Sequence, residues 1–184
     1  MENFYNWKVL SRTKVLSCPV FDIFKEKTVC PRNDFCGDFY VIDCPNSWVN
    51  IVAVTDSNEI VMIKQFRHGT KKIELEIPGG LVDPGELPLD AGIRELREET
   101  GFVGKNAVVI GKVCPNPALQ GNLCYTVLIE GASKQSDVEF DDAEDIDTFL
   151  VPIEKLDKII CNGEISHGLV LNALYFYDLH SKKS

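Results

Sequence analysis

The chain has 184 residues, 45% of them apolar, and a mean hydropathy of −0.04, which suits one sizeable soluble core with a small appendage. Nineteen basic against 28 acidic residues give a net charge of −9. That balance argues against nucleic-acid and anionic-membrane partners, which need a basic surface, and no apolar run approaches the roughly 20 residues that span a bilayer.

The opening MENFYNWKVLSRTK has no basic-then-apolar export pattern. Seven scattered cysteines form no Cys-x-x-Cys pair. Together these give the expectation of a cytoplasmic protein with reduced thiols.

Residues 1–45 carry short apolar patches around Trp7–Leu10, Val20–Phe24 and Phe39–Ile42, broken by Pro19, Pro31, Gly37 and Pro45. They read as a few strands joined by turns, a β region too small to bury much surface alone. A second region, 46–184, starts with a clearer pattern. WVNIVAVT predicts a buried strand, Asp56-Ser57-Asn58 a turn, and EIVMIKQFR the returning strand. Ile73–Ile77 alternates with period two and should stop at Pro78, with Gly79-Gly80 as a turn.

A helix is predicted from Pro88, suited to a first turn, to Gly101, a natural C-terminal cap. Gly92 weakens it by about 1 kcal/mol relative to alanine. Beyond it, Ala107–Val113 and Cys124–Glu130 read as strands flanking the loop CPNPALQGN. An acidic stretch, Asp137–Asp147, precedes a strand at Thr148–Val151 and a short helix at Pro152–Ile160. A last helix from Ser166, as its cap, to His180 completes the chain. Strands mixed with three helices predict an α/β fold with a mixed sheet covered on both faces.

The middle helix holds the strongest chemical signal. Glu95, Glu98 and Glu99 stand at i, i+3 and i+4, so their carboxylates share one face. Exposed like charges at that spacing repel by roughly 0.2–0.5 kcal/mol per pair. A hard divalent cation with oxygen ligands would offset the repulsion. A solvated charged face is the plainer reading, but it gives no role to Glu86 or to the flanking glycines.

Gly80, Glu86, Arg94, Glu95, Glu98, Glu99 and Gly101, with apolar Leu96 and Phe102, match the pattern G-x5-E-x7-R-E-U-x-E-E-x-G-U, where U is a bulky apolar residue. The chain thereby resembles the Nudix hydrolases. Gln65-Phe66-Arg67, the strand into IPGG, the Asn116-Pro117 loop and the late acidic run resemble the ADP-ribose pyrophosphatase branch, from Trp48 to His180.

The resemblance implies a Nudix-type α/β/α sandwich that hydrolyses a nucleotide sugar with Mg²⁺, for which Mn²⁺ can substitute. It implies metal ligation by the Gly79 carbonyl and by Glu95, Glu98 and Glu99. Arg94 would orient those carboxylates and Glu86 would act through it or through water. Arg67 would grip a phosphate, and Pro117 would lie in a substrate-selecting loop. Asp142 or Glu144 would be the base that activates water. The resemblance further implies a homodimer that uses the N-terminal strands. Trp48 and Phe35 are candidates to stack on a purine, with core packing as the alternative. His68, His167 and His180 show no metal-ligand spacing and read as structural. The pattern does not discriminate among pyrophosphates, so another nucleotide sugar, a dinucleotide or a nucleoside triphosphate is the alternative substrate. A nucleotide sensor without turnover is the competing class, but every glutamate of the pattern is present.

Overall fold

In a computed structural model, which describes residues 6–140 and 145–183, the early apolar patches form three antiparallel strands. These are β1 (Lys8–Ser17), β2 (Asp22–Val29) and β3 (Cys36–Asp43). They belong to the first of two compact units, Met1–Pro45 with Cys114–Asn122. All ten residues of β1 are exposed, and Thr28 is the one buried residue among the described positions of this unit. Ion pairs join the strands, Arg12 to Asp43 and Lys25 to Asp38, both at 2.7 Å. The loop Cys114–Asn122, expected with the second region, joins this sheet instead. The Ile42 N–H donates to the Leu119 carbonyl at 2.7 Å.

The second unit is Asn46–Val113 with Leu123–Ser184. Its strands are β4 (Trp48–Val54), β5 (Glu59–Arg67), β6 (Lys72–Glu76), β7 (Gly79–Leu81), β8 (Phe102–Val113), β9 (Cys124–Lys134) and β10 (Ile146–Pro152). Its helices are α1 (Pro88–Thr100), α2 (Leu156–Cys161), which follows a 3-10 turn at Ile153–Lys155, and α3 (Gly168–Ser181). No helix among the described residues is long and apolar enough to cross a membrane.

The sheet runs β10-β5-β4-β9-β8 and is mixed, with β4 and β9 parallel and the other pairs antiparallel. The expected α/β architecture with helices on both faces is present. β4 reads as an unbroken apolar run because both faces are covered. Val49, Ile51 and Ala53 pack with Ala91 and Leu96 of α1. Val52 and Val54 pack with Val170, Ala173 and Leu174 of α3 and Leu156 of α2.

β4 and β5 diverge after a single pair, Val54 with Ile60. The opening is filled by β6, paired to β5, and β7, paired to β4. Gly79 and Gly80 therefore lie in a strand, opposite Asn50 and Val49, rather than in the expected turn. The pairing continues into Pro78, whose carbonyl accepts from the Ile51 N–H at 2.8 Å. Ser166 is a second departure. It does not cap α3, which begins after His167; its hydroxyl donates to Glu74 Oε2 at 2.6 Å.

α1 ends as expected, with Gly101 in the left-handed region (φ 72°) and its N–H bonded to the Arg97 carbonyl. Gly92 also acquires a reason. A Cβ there would sit 2.9 Å from Val127 Cγ2, so the glycine lets α1 lie close on β9. Overpacking costs typically 1–3 kcal/mol, more than the roughly 1 kcal/mol of helix propensity that alanine recovers. Gly92→Ala should therefore lower stability in chemical denaturation, but raise it when made in a Val127→Ala background. Equal effects in both backgrounds would show that the close approach is not what selects glycine.

Candidate active site

The split between β4 and β5 is where the chemical residues gather. A cavity of about 1030 Å³ opens there, lined by Trp48 and Asn50 of β4, Gln65 and Arg67 of β5, Glu74 and Glu76 of β6, the β7 glycines, Arg94, Glu95, Glu98 and Glu99 of α1, and Ser166 to Leu169 at the start of α3.

At Gly80 the Glu95 carboxylate lies directly against the backbone, and a Cβ there would displace it. A Cβ on Gly79 would meet the Val49 carbonyl at 2.5 Å and Asn50 Oδ1 at 2.8 Å. The Gly79 N–H donates to Oε2 of Glu99 at 3.0 Å, and Glu99 is only 3% exposed. The last turn of α1 is thus tied to β7 by a buried carboxylate.

Arg94 is the hub of the acidic group. Its Nε and Nη2 donate to the two oxygens of Glu86 at 3.0 and 2.9 Å. Its Nη1 donates to Glu95 Oε1 at 2.9 Å and Glu98 Oε2 at 3.0 Å, and Nη2 also reaches the Leu81 carbonyl at 3.0 Å. The Glu86 bonds are the main cause that drives the guanidinium pKa upward, against its partial burial. The same pairing holds the Glu86 carboxyl below its ordinary range. A backbone bond from Asp83 N–H at 3.1 Å adds to this.

A second polar group lies across β5, β6 and the start of α3. Glu76, 2% exposed, receives both Nε and Nη2 of Arg67 at 2.8 Å. His167 Nδ1 stands 3.4 Å from Glu76 Oε2, buried and without a hydrogen bond. Glu74 is held below its ordinary pKa by the Ser166 hydroxyl first and by Thr70 second. Sequence reading passed over Glu74, Glu76, Ser166 and His167 as site residues. The usable signal was two glutamates two apart in an apolar strand, a placement that demands partners.

The structure thus brings together Arg67, Gly79, Glu86, Arg94, Glu95, Glu98 and Glu99. Trp48 lines the cavity, while Phe35, 52% exposed in the first unit, stands edge-on to Trp7 and is not a core residue. Pro117 belongs to the first unit. Asp142 and Glu144 lie outside the described residues.

A model of the NUDIX domain matches residues 46–168. The chain belongs to the Nudix family. Over 173 residues it is 28% identical to an ADP-ribose pyrophosphatase of Bacillus subtilis, covering 94% of this chain and 92% of the relative. The ADP compounds hydrolase NudE of Escherichia coli is 26% identical over 127 residues, 69% of this chain and 67% of the relative. A crystal structure of an ADP compounds hydrolase has the same fold, with a TM-score of 0.89 over 100% of this chain and 98% of the other at 21% identity.

This is therefore a Nudix hydrolase resembling ADP-ribose and ADP-compound pyrophosphatases, and Nudix hydrolases generally use divalent metal ions. The lining fits such an ion in charge and donor type. Glu74, Glu76, Asp83, Glu95, Glu98, Glu99 and Glu139 face two guanidiniums, Arg67 and Arg94, so carboxylates exceed guanidiniums by five. All the acidic donors are hard oxygens. Among the described residues, no three acidic, histidine or cysteine side chains yet converge as a ready metal cluster. Glu95 and Glu98 turn to Arg94, and Glu99 turns to the Gly79 amide.

Arg94→Lys keeps the charge but removes the fork, and should lower stability by about 1–3 kcal/mol in urea titrations. The pH dependence has a definite sign. Glu86 is depressed below its ordinary 4.5, so the pairing contributes fully above that value and is lost as pH falls through the folded-state pKa. Stability of the lysine variant should therefore fall less steeply below pH 4.5 than that of the parent. Parallel acid limbs would refute the assignment.

Proposed function

We propose that this protein is a Mg²⁺-dependent pyrophosphohydrolase of nucleoside diphosphate sugars, with ADP-ribose as leading substrate and AMP and ribose 5-phosphate as products. Mn²⁺ would substitute. The observation that carries the reading is the acidic excess of the cavity wall combined with two arginines. A pyrophosphate is itself anionic, so it enters such a wall only together with divalent cations. The names of the relatives at 28% and 26% identity support an ADP compound as the organic part.

Glu95, Glu98 and Glu99, with the Gly79 carbonyl, hold the cation. When bound, it neutralises pyrophosphate charge and lowers the pKa of a water. Arg94 fixes the direction of the carboxylates, and Glu86 acts through Arg94. Arg67 contacts a phosphate of the substrate. Asp142 or Glu144 takes the proton of the attacking water, and Pro117 shapes the substrate loop. Trp48, partly exposed on the cavity wall, is the aromatic that stacks on the base. A homodimer built through β1 to β3 accounts for a sheet with apolar Val9, Leu10, Phe39 and Tyr40 exposed.

Two measurements test this. Glu99→Gln should lower kcat by about 10²-fold or more while the circular dichroism spectrum stays unchanged; near-normal turnover would sink the metal-site assignment. A substrate panel with Mg²⁺, Mn²⁺ or a chelator should release AMP and ribose 5-phosphate from ADP-ribose only with metal. Consumption of a nucleoside triphosphate with ADP-ribose untouched would refute the substrate, and a monomeric mass in light scattering would count against the dimer.

A further inference from the structure

Arg67 ends β5 with its side chain 44% exposed, a position from which a long flexible side chain normally sweeps a broad arc. Here two of its donors are fixed. Nε and Nη2 each donate at 2.8 Å to a different oxygen of Glu76, whose side chain is 2% exposed. A carboxylate that deeply buried persists only when paired. Nη1 remains outside this fork, and the guanidinium lines the cavity.

Other anions compete for Arg67. Glu99 and Glu74 both act on it electrostatically, but the bidentate bonds go to Glu76. We propose that Glu76 is a positioning residue. It pins the Arg67 fork so that the remaining guanidinium edge meets a substrate phosphate, and it keeps that guanidinium from turning onto Glu99. The assignment rests on the phosphate-binding reading of Arg67 given above. Glu76, on the same cavity wall, acts through its hold on the arginine and needs no contact with the reacting atoms. Its Oε2 also stands 3.4 Å from His167 Nδ1, so the same carboxylate borders two cationic or polar side chains of the wall. Binding in a pre-set geometry avoids the cost of ordering the arginine when the ligand arrives.

The test is a double-variant cycle on the full chain, with inorganic pyrophosphate and Mg²⁺ as the probe in titration calorimetry. Glu76→Gln and Arg67→Ala should each weaken the Kd by about tenfold, and the double variant should bind no more weakly than Arg67→Ala alone. Glu76→Asp, which keeps the charge, should recover part of the loss. An independent readout is the Arg67 Nε–H signal in nitrogen-proton spectra, protected from exchange in the parent and unprotected in Glu76→Gln. If Glu76→Gln does not fold, Glu76→Asp and that signal decide the matter. Wild-type affinity in Glu76→Gln, additive losses, no pyrophosphate binding by the parent, or an unprotected parental signal would each overturn the proposal. Failure of the parent to hydrolyse ADP-ribose would overturn the substrate reading alone, since the cycle reads pyrophosphate binding without turnover.

Discussion

Four glutamates crowd the space between the end of β7 and the last turns of α1, and one arginine makes that arrangement tolerable. Arg94 donates to Glu86, Glu95 and Glu98 and to the Leu81 carbonyl, while the Gly79 amide takes Glu99. Removing a partner from such a group leaves partly buried charge uncompensated, which is far costlier than never having built the group. The glycines follow from the same constraint. Gly80 is small because a glutamate carboxylate lies on its backbone, and Gly92 is small because the helix that carries the glutamates must lie close to Val127.

The sheet supplies the place. Where β4 and β5 part, β6 and β7 bring their side chains to the opening and α1 closes it. Catalytic chemistry in this family is mostly positioning and charge stabilisation, and both need groups on rigid elements. Here Arg67, Gly79, Arg94, Glu95, Glu98 and Glu99 all issue from a strand or helix of this unit, with both hydrophobic clusters packed behind them.

Much of this was legible in the chain itself. WVNIVAV announced a buried strand, and Pro88 and Gly101 marked where the acidic helix starts and stops. The spacing of Gly80, Glu86, Arg94 and the three later glutamates carried the family. What stayed hidden depends on partners distant in sequence or on competition between local options. Gly79-Gly80 looked like a turn because glycine pairs usually are, yet β4 offers them a pairing edge. Ser166 looked like a cap, but Glu74, ninety-two residues away, offers its hydroxyl a charged acceptor. Arg67 looked like a free phosphate hand, and no local pattern showed that Glu76 would already hold its fork. The loop at Pro117 joined the first unit through backbone bonds to Ile42 that composition cannot reveal.

The parallel pairing of β4 with β9 in the larger sheet has a consequence for how the site comes into being. Trp48 lines up with Cys124 and Val54 with Glu130, so the two strands flank in sequence everything from β5 to β8. The acidic helix lies within that interval, and the surface it rests on, Val49, Ile51, Val127 and Ile129, is contributed by both ends. The acidic helix thus gains the surface it packs on only when residues from both ends of the interval have met. Closing so long an interval carries its entropy cost before the contacts return it, which makes assembly of the site a late and cooperative event in folding.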